Sequence, residues 1–132
     1  GAWQAIRLAE TPNRYLAGCI EVAMKDFVGD KTHWQKMLKN VLATDKDIIE
    51  EKARLSQLLP AEWHEYLSDN QEITTIAYPV EAFPTKVKSI NLDKTPEVHG
   101  VLQGIKGQYL IFDEGRVMNI RKHTGYWVQL HN

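Results

Sequence analysis

The C-terminal third of the chain brings cationic and aromatic side chains together within a short stretch. Its four cations fall within seventeen residues, from Lys106 to Lys122, and polar and aromatic residues stand between them. Cationic side chains hold phosphates by charge, and flat aromatic rings stack on unpaired bases, so the stretch predicts a nucleic-acid contact face. The candidate residues are Lys106, Tyr109, Arg116, Asn119, Arg121, Lys122, His123 and Tyr126.

Strand periodicity gives this stretch two interpretations. In a strand over residues 116–121, alternate side chains share a face, which places Asn119 and Arg121 together on one surface. The alternative is that the charges solvate the outside of a small barrel while the aromatic rings pack inside it, since polar strand faces usually meet water. The sequence leaves both interpretations open.

Glu21 is a candidate metal ligand. On a helical wheel it lies off the apolar stripe of the predicted first helix, beside Arg14 and Lys25. Hard divalent ions such as Mg²⁺ prefer carboxylate oxygen, but the nearest other carboxylates, Asp26 and Asp30, lie about one turn and more than two turns away. A simpler interpretation is an i,i+4 ion pair with Lys25 on the helix surface.

Patterns typical of catalysis are missing from the sequence. None of the five histidines stands three or four positions from another histidine or from Cys19, as the ligands of a helical metal site would. The glycines at residues 100–107 are spaced for strand turns and not for a phosphate-binding loop. We therefore predict no catalytic residues, and this chain alone is not expected to be an enzyme.

Helical periodicity dominates the first half of the chain. A short strand over residues 3–8 precedes turn residues at 11–13, which also supply a helix start. Apolar residues at helical spacing then predict helices over residues 14–28 and 34–42. Cap and first-turn residues predict two more, over residues 44–59 and, after Pro60, over residues 61–67. Thr44 and Asp47 have the spacing of a capping box that opens the third helix.

Extended structure follows, with strands predicted over residues 73–78 and 87–92 and a β-meander over residues 104–126. Asp113-Glu114-Gly115 between apolar runs is a hairpin signal. We predict an α+β fold with an N-terminal strand and about four helices, followed by a C-terminal antiparallel β-meander or small open barrel. Residues 1–70 form a mainly helical lobe that begins inside a larger domain, and residues 71–132 form a mainly β lobe.

Composition and charge limit the classes of protein. A formal net charge of −1 excludes a strongly basic protein, although not a local basic face. A single cysteine fits the cytoplasm, and no apolar run approaches the ~20 residues that span a bilayer, so no membrane partner is expected. The first strand has no lead-in, which suggests a fragment of a larger protein, and we expect self-association along its exposed edge.

Four strings carry a family resemblance: AETPNRYLAGCIEVAMKDFVGDKTHWQKML, TTIAYPV, VKSINLDKTPEV and GVLQGIKGQYLIFDEGRVMNIRKHTGY. They resemble the C-terminal half of a bacterial family called domain of unknown function 2797, and the resemblance runs from Trp3 to Leu130. It implies that full-length members are longer, with a cysteine-rich, zinc-binding N-terminal segment that lies outside this sequence.

A more distant resemblance is to the GIY-YIG nuclease fold. It implies that residues 3–8 match the third strand of that fold, and that Glu21, within GCIEVAMK, matches its metal-binding glutamate. The tyrosines and the arginine of the nuclease motif lie outside this sequence. The resemblance therefore implies no cofactor in this chain and a divalent metal ion only in the intact protein.

Two functions from different classes follow. The leading hypothesis is the nucleic-acid-binding part of a nuclease-like protein, which neutralises phosphates and stacks on bases. The alternative is a protein-interaction or structural module with no catalytic role, whose aromatic and apolar sheet face binds a partner. A salt titration distinguishes the two hypotheses, because phosphate binding weakens steeply as the salt concentration rises.

Overall fold

The computed structural model describes residues 2–29, 32–129 and 131. The chain divides into two compact units that interleave along the sequence. A helical unit comprises Ala2–Thr32 and Leu42–Ala77, and a sheet unit comprises His33–Val41 and Tyr78–Asn132. Among the described residues, no helix is long and apolar enough to cross a membrane.

The helices and strands are short, and long turns join them. The helices are α1 (Arg14–Met24), α2 (Trp34–Leu38) and α3 (Ile48–Leu58). The strands are β1 (Gln4–Ile6), β2 (Ile73–Thr75), β3 (Lys88–Ile90), β4 (Leu102–Lys106), β5 (Tyr109–Phe112) and β6 (Arg116–Asn119). Short 3₁₀ helices cover Ala61–Tyr66, Asp113–Gly115 and Ile120–His123. This order confirms the predicted α+β class, with an N-terminal strand, about four helices and a C-terminal sheet.

α1 begins where the turn residues predicted it. The Asn13 side chain accepts a hydrogen bond from the backbone N–H of Leu16 at 3.0 Å, which satisfies one of the free amides of the first turn. Ile20 and Met24 are buried against Leu59 and form the core of the helical unit. Partly buried side chains pack around that core: Leu8, Ala9, Leu55, Trp63, Tyr66 and Leu67.

α3 begins later than predicted. The helix starts at Ile48, and one carboxylate oxygen of Asp47 accepts hydrogen bonds from the backbone N–H groups of Ile49 at 2.7 Å and Glu50 at 3.3 Å. The predicted capping box led by Thr44 is therefore wrong, because Asp47 itself takes the capping position. The positive end of the helix dipole also stabilises a carboxylate at this position.

α2 is shorter than its apolar repeat suggests. The repeat at helical spacing continues to Leu42, but the helix ends at Leu38. Asn40 has a left-handed backbone with φ of 54°, a conformation that asparagine tolerates and that commonly ends a helix. The predicted helix over residues 34–42 is thus wrong at its C-terminal end.

The sheet unit contains a four-stranded sheet in the order β3-β6-β5-β4. β4, β5 and β6 are antiparallel neighbours, as a meander requires, whereas β3 runs parallel to β6. The parallel strand lies outside the predicted antiparallel meander, because strands so far apart in sequence leave no local signal of their pairing. Leu38 of α2 packs into the core of this unit with Tyr109, Ile111 and Val117.

The segment before β3 closes onto β4. The backbone N–H of Ile105 donates to the carbonyl of Pro79 at 2.9 Å, and Val80 forms a β-bridge with Gly104. A Cβ atom at Gly104 would lie 2.7 Å from both Cα and Cγ2 of Val80. Glycine is therefore required at position 104 for this close approach of two backbones.

β1 pairs with β2 in an antiparallel two-stranded sheet within the helical unit. In the part of the chain that the structure describes, no strand lies on the second edge of β1. Self-association along that edge stays a prediction. The predicted lobes are consecutive, residues 1–70 and 71–132, whereas the compact units interleave, with α2 in the sheet unit and β2 in the helical unit.

Candidate functional site

Lys106 lies inside the sheet unit. Only 1% of its surface is exposed, and its Nζ atom lies 4.9 Å from the ring centres of both Tyr78 and Phe83. The same Nζ donates a hydrogen bond to Oδ1 of Asn40 at 2.9 Å. Burial lowers the pKa of Lys106, because the charged form loses its hydration. The ammonium group is thus enclosed by these side chains and has almost no contact with solvent.

Tyr109 and Asn119 continue the interior row that begins at Lys106. Tyr109 pairs with Lys106 across β4 and β5, and with Asn119 across β5 and β6. The Tyr109 ring stacks on Trp34 of α2, with ring centres 5.7 Å apart and planes at 6°. Asn119 is buried, and its Oδ1 accepts a hydrogen bond from the backbone N–H of Arg121 at 3.1 Å. Lys106, Tyr109 and Asn119 are called the buried row below.

Arg116 supports the turn between β5 and β6. It forms an ion pair with Asp113, and its Nη1 donates to the carbonyl of His99 at 2.6 Å. The hydrogen bond from Arg116 lowers the pKa of the Asp113 carboxyl, although partial burial acts in the opposite direction. The guanidinium group of Arg116 is therefore already bound by acceptors of the sheet unit.

Arg121 and Lys122 lie beyond the end of β6. The strand stops at Asn119, and a 3₁₀ helix over Ile120–His123 follows. Strand alternation does not continue there, so the prediction that Asn119 and Arg121 point from one surface is wrong. Both cationic side chains are exposed, and no acidic side chain among the described residues forms an ion pair with either. Residues 120–127 are called the end segment below.

His123, Tyr126 and Trp127 are the aromatic residues of the end segment. The first two pack against the sheet unit, and the third lies in solvent. Both ring nitrogens of His123 are buried and have no hydrogen-bond partner within the described ranges, and the ring meets Tyr126 edge-on with centres 5.2 Å apart. The Tyr126 hydroxyl donates to the carboxylate of Asp93, which raises the pKa of Tyr126. Tyr126 is 46% exposed and Trp127 is 93% exposed. Trp127 thus presents nearly its whole ring to solvent.

The structure separates the eight predicted residues into three groups. The buried row forms a cross-strand line inside the sheet unit. Arg116 is engaged by the β5–β6 turn. The end segment brings the exposed Arg121 and Lys122 together with Tyr126, and His123 supports them from inside.

Glu21 belongs to the helical unit, whereas the other predicted residues belong to the sheet unit. It is exposed on α1, and the simpler interpretation of Glu21 as an ion pair with Lys25 stays a prediction. No group of three or more His, Cys, Asp or Glu side chains in the described part of the chain could hold a metal ion. One carboxylate does not by itself fit a metal site, and a role for Glu21 as a ligand stays a prediction.

Sequence reasoning missed the acceptors that fix these cations and rings. Asn40 accepts from Lys106, and its place just after α2 is a helix-ending signal that could have been found. Asp113 stands three residues before Arg116 across a tight turn, which is also a local signal. Asp93 accepts from Tyr126 across 33 positions, and nothing in the local sequence indicates that pair.

Comparison with known proteins identifies a family. The family model described as "Protein of unknown function (DUF2797)" matches residues 1–128. No curated protein matches the sequence, and no solved structure matches the chain. The match covers nearly the whole chain and carries no activity, so function rests on the arrangement of the residues themselves.

Proposed function

The chain belongs to the DUF2797 family of proteins of unknown function, and we propose that its end segment binds single-stranded nucleic acid. One observation carries the proposal: two exposed cations without ion-pair partners among the described residues and two exposed aromatic rings lie within seven residues, from Arg121 to Trp127. Cations and stacking rings are the two elements that single-strand binding proteins combine.

The two cations are available for phosphate. Since no described carboxylate is paired with Arg121 or Lys122, a phosphate oxygen has no ion pair with a described residue to displace. Arginine offers a planar fork of donors, and lysine offers a mobile point charge. Contacts of this kind fix the strand but do not read its sequence.

The aromatic side chains supply the second element. Trp127, at 93% exposure, leaves both ring faces open to a base, and Tyr126 exposes about half of its surface. Stacking on such rings tolerates any base and contributes about 1–3 kcal/mol per base. We therefore expect binding to unpaired strands with little sequence preference.

The buried row positions the end segment in this proposal and does not touch the ligand. Asn119 accepts from the Arg121 backbone, so it starts the 3₁₀ helix that carries both cations. Thr124 closes the same helix, because its hydroxyl donates to the Arg121 carbonyl at 2.9 Å. Within the wider proposal, this chain is the binding part of a nuclease-like protein, and no reaction is assigned to it.

Fluorescence anisotropy with a labelled single strand of about 12 nucleotides, within the usual span of such sites, tests the proposal. Two phosphate contacts on a single strand predict a slope of about −1.4 for log affinity against log salt concentration. Arg121→Ala and Lys122→Ala should each weaken binding and reduce that slope by about 0.7. Lys39→Ala is the matched control, because Lys39 is an exposed lysine of the same unit outside the end segment.

Two results would overturn the proposal. One is the absence of binding by the 132-residue chain at low salt. The other is binding that Arg121→Ala and Lys122→Ala leave as strong and as salt-dependent as Lys39→Ala does.

A second candidate is a protein-interaction module, which the exposed apolar side chains of one sheet edge favour. Val101, Leu102 and Ile105 lie on or beside β4 and are exposed. Apolar side chains in one stretch of an edge strand are typical of a partner surface. Binding at this edge should depend little on salt and should be lost in Leu102→Lys, whereas nucleic-acid binding should persist in that variant.

A further inference from the structure

α1 has a second apolar stripe, on the side opposite its buried face. Ile20 and Met24 point into the core of the helical unit. At 100° per residue, Tyr15 and Val22 lie on the other side of the helix, where they are 79% and 72% exposed. An 11-residue helix with apolar residues on two faces is typical of an element that packs on two sides.

The exposed stripe forms the floor of an open groove of about 580 Å³ in the helical unit. Small residues, Gly18 and Cys19, lie between Tyr15 and Val22, and Trp63 lines the groove as well. A Cβ atom placed on Gly18 would meet nothing within 4 Å. Another helix can therefore approach α1 closely at Gly18.

Charged residues on one flank of the stripe select the occupant. Arg14 and Glu21 stand seven positions apart, close to two helical turns, so they lie on the same flank of α1. Both are exposed, and neither forms an ion pair within the described ranges. Within α1 the flank thus offers one positive and one negative group, without a described ion-pair partner, on either side of Gly18, and Lys25 follows on the same flank at the C-cap.

We propose that a second copy of this chain docks on the stripe, with its α1 antiparallel to the first across a two-fold axis near Gly18 and Cys19. In an antiparallel two-fold pair, the same flank of each helix meets its own copy. Arg14 then comes within about two residues of Glu21 of the second copy along the axis, on the order of 3 Å. Symmetry forms the same ion pair twice, and Tyr15 faces Val22 of the second copy.

A parallel pair does not satisfy these charges, because a two-fold axis along the helices brings opposite flanks together. The antiparallel arrangement is therefore the one that the charge pattern favours. The stripe is about 16 Å long, from 11 residues at 1.5 Å each, which is short for a stable interface. The dimer accordingly belongs to the weak, concentration-dependent class.

Sedimentation equilibrium of the 132-residue chain, up to about 1 mM, measures the association. Arg14→Glu or Glu21→Arg alone places like charges opposite each other and should weaken the dimer on the order of tenfold. The double variant exchanges the two signs and should restore association. Arg14→Glu places a negative charge near the N-terminus of α1, and Glu21→Arg places a positive charge near its C-terminus. The helix dipole favours both changes, so loss of association does not come from loss of the helix.

Two further variants complete the test. Gly18→Leu raises helix propensity but blocks close approach, so it should give a monomer. Lys36→Glu makes a charge reversal on α2, outside the stripe, and should leave association unchanged. The proposal is overturned by a wild-type chain that stays monomeric at about 1 mM, by a double variant as weak as the singles, or by Gly18→Leu that associates like the wild type.

Discussion

Lys106 and Lys122 belong to the same sheet unit, yet their surroundings are opposite. Lys106 is 1% exposed, between two aromatic rings and the Asn40 amide. Lys122 is exposed in the end segment and has no ion-pair partner among the described residues. The comparison shows that cations close in sequence have different roles. Lys106 stabilises the buried part of the sheet unit, and Lys122 faces solvent.

The largest expected effect is on the free energy of unfolding, which charge reversal should lower much more at Lys106 than at Lys122. Lys106→Glu would place a carboxylate between two ring faces and beside the Asn40 amide, which is neutral and cannot compensate the charge. We expect a loss of about 3–5 kcal/mol in the free energy of unfolding, the cost of an uncompensated buried charge. Lys122→Glu should stay within about 0.5 kcal/mol of the wild type, as exposed substitutions do. Urea unfolding measures both, and equal losses would remove the distinction.

A second prediction sharpens the comparison with aromatic residues of the same unit. Trp127→Ala should weaken binding of a single-stranded oligonucleotide by about 1–3 kcal/mol, because it removes an exposed stacking ring. Trp34→Phe changes the inner stack on Tyr109 and should leave the affinity unchanged once folding is verified. Anisotropy titrations at one salt concentration measure both variants. Equal affinity of the wild type and Trp127→Ala would contradict the role given to this ring.

The smallest expected effect concerns pH and Lys106 alone. Its folded pKa is below the ordinary value of 10.5, so the unfolded chain binds more protons between the two pKa values. Stability should therefore rise as the pH increases through the folded pKa toward 10.5. Below the folded pKa, the full cost of burying the charge is present and does not change with pH.

The variant Lys106→Met isolates this contribution, because it keeps an apolar stem and removes the titrating group. Tyr66 and Tyr126 have raised pKa values and act in the opposite sense, losing stability as the pH rises above the ordinary value of 10.0. Only the difference between the wild-type and Lys106→Met curves therefore reports Lys106. A difference that is flat across the alkaline range would contradict the assignment.

Sequence could predict the parts of this molecule that local chemistry determines. The helix start at Asn13 and the turn at Asp113-Glu114-Gly115 are set by residues within a few positions of each other. The burial of Lys106 is set by Asn40, which follows α2, and by Tyr78 and Phe83, which lie in the segment before β3. The predicted face therefore contained the right residues of the end segment together with the buried row, because residue type alone does not distinguish them.

Pairing between distant segments was the second gap. The parallel pairing of β3 with β6 joins Lys88 to Arg116, and no turn signal connects them. Asn40, in contrast, carried a local signal that the apolar repeat concealed, since the repeat continued past the helix end. Local rules thus predicted the class of the fold, and tertiary contacts decided which cations are buried and which are exposed.

The bridge between Val80 and Gly104 also bears on aggregation. β4 lies at one edge of the sheet, and an open edge strand is a template for pairing with other chains. The backbone bond from Ile105 to Pro79 occupies part of that edge, and it depends on the missing side chain at Gly104. The other edge, β3, is three residues long and begins at Lys88, two features that discourage such pairing. We expect a single methyl group at position 104 to push the covering segment away and to open the β4 edge for pairing with other chains.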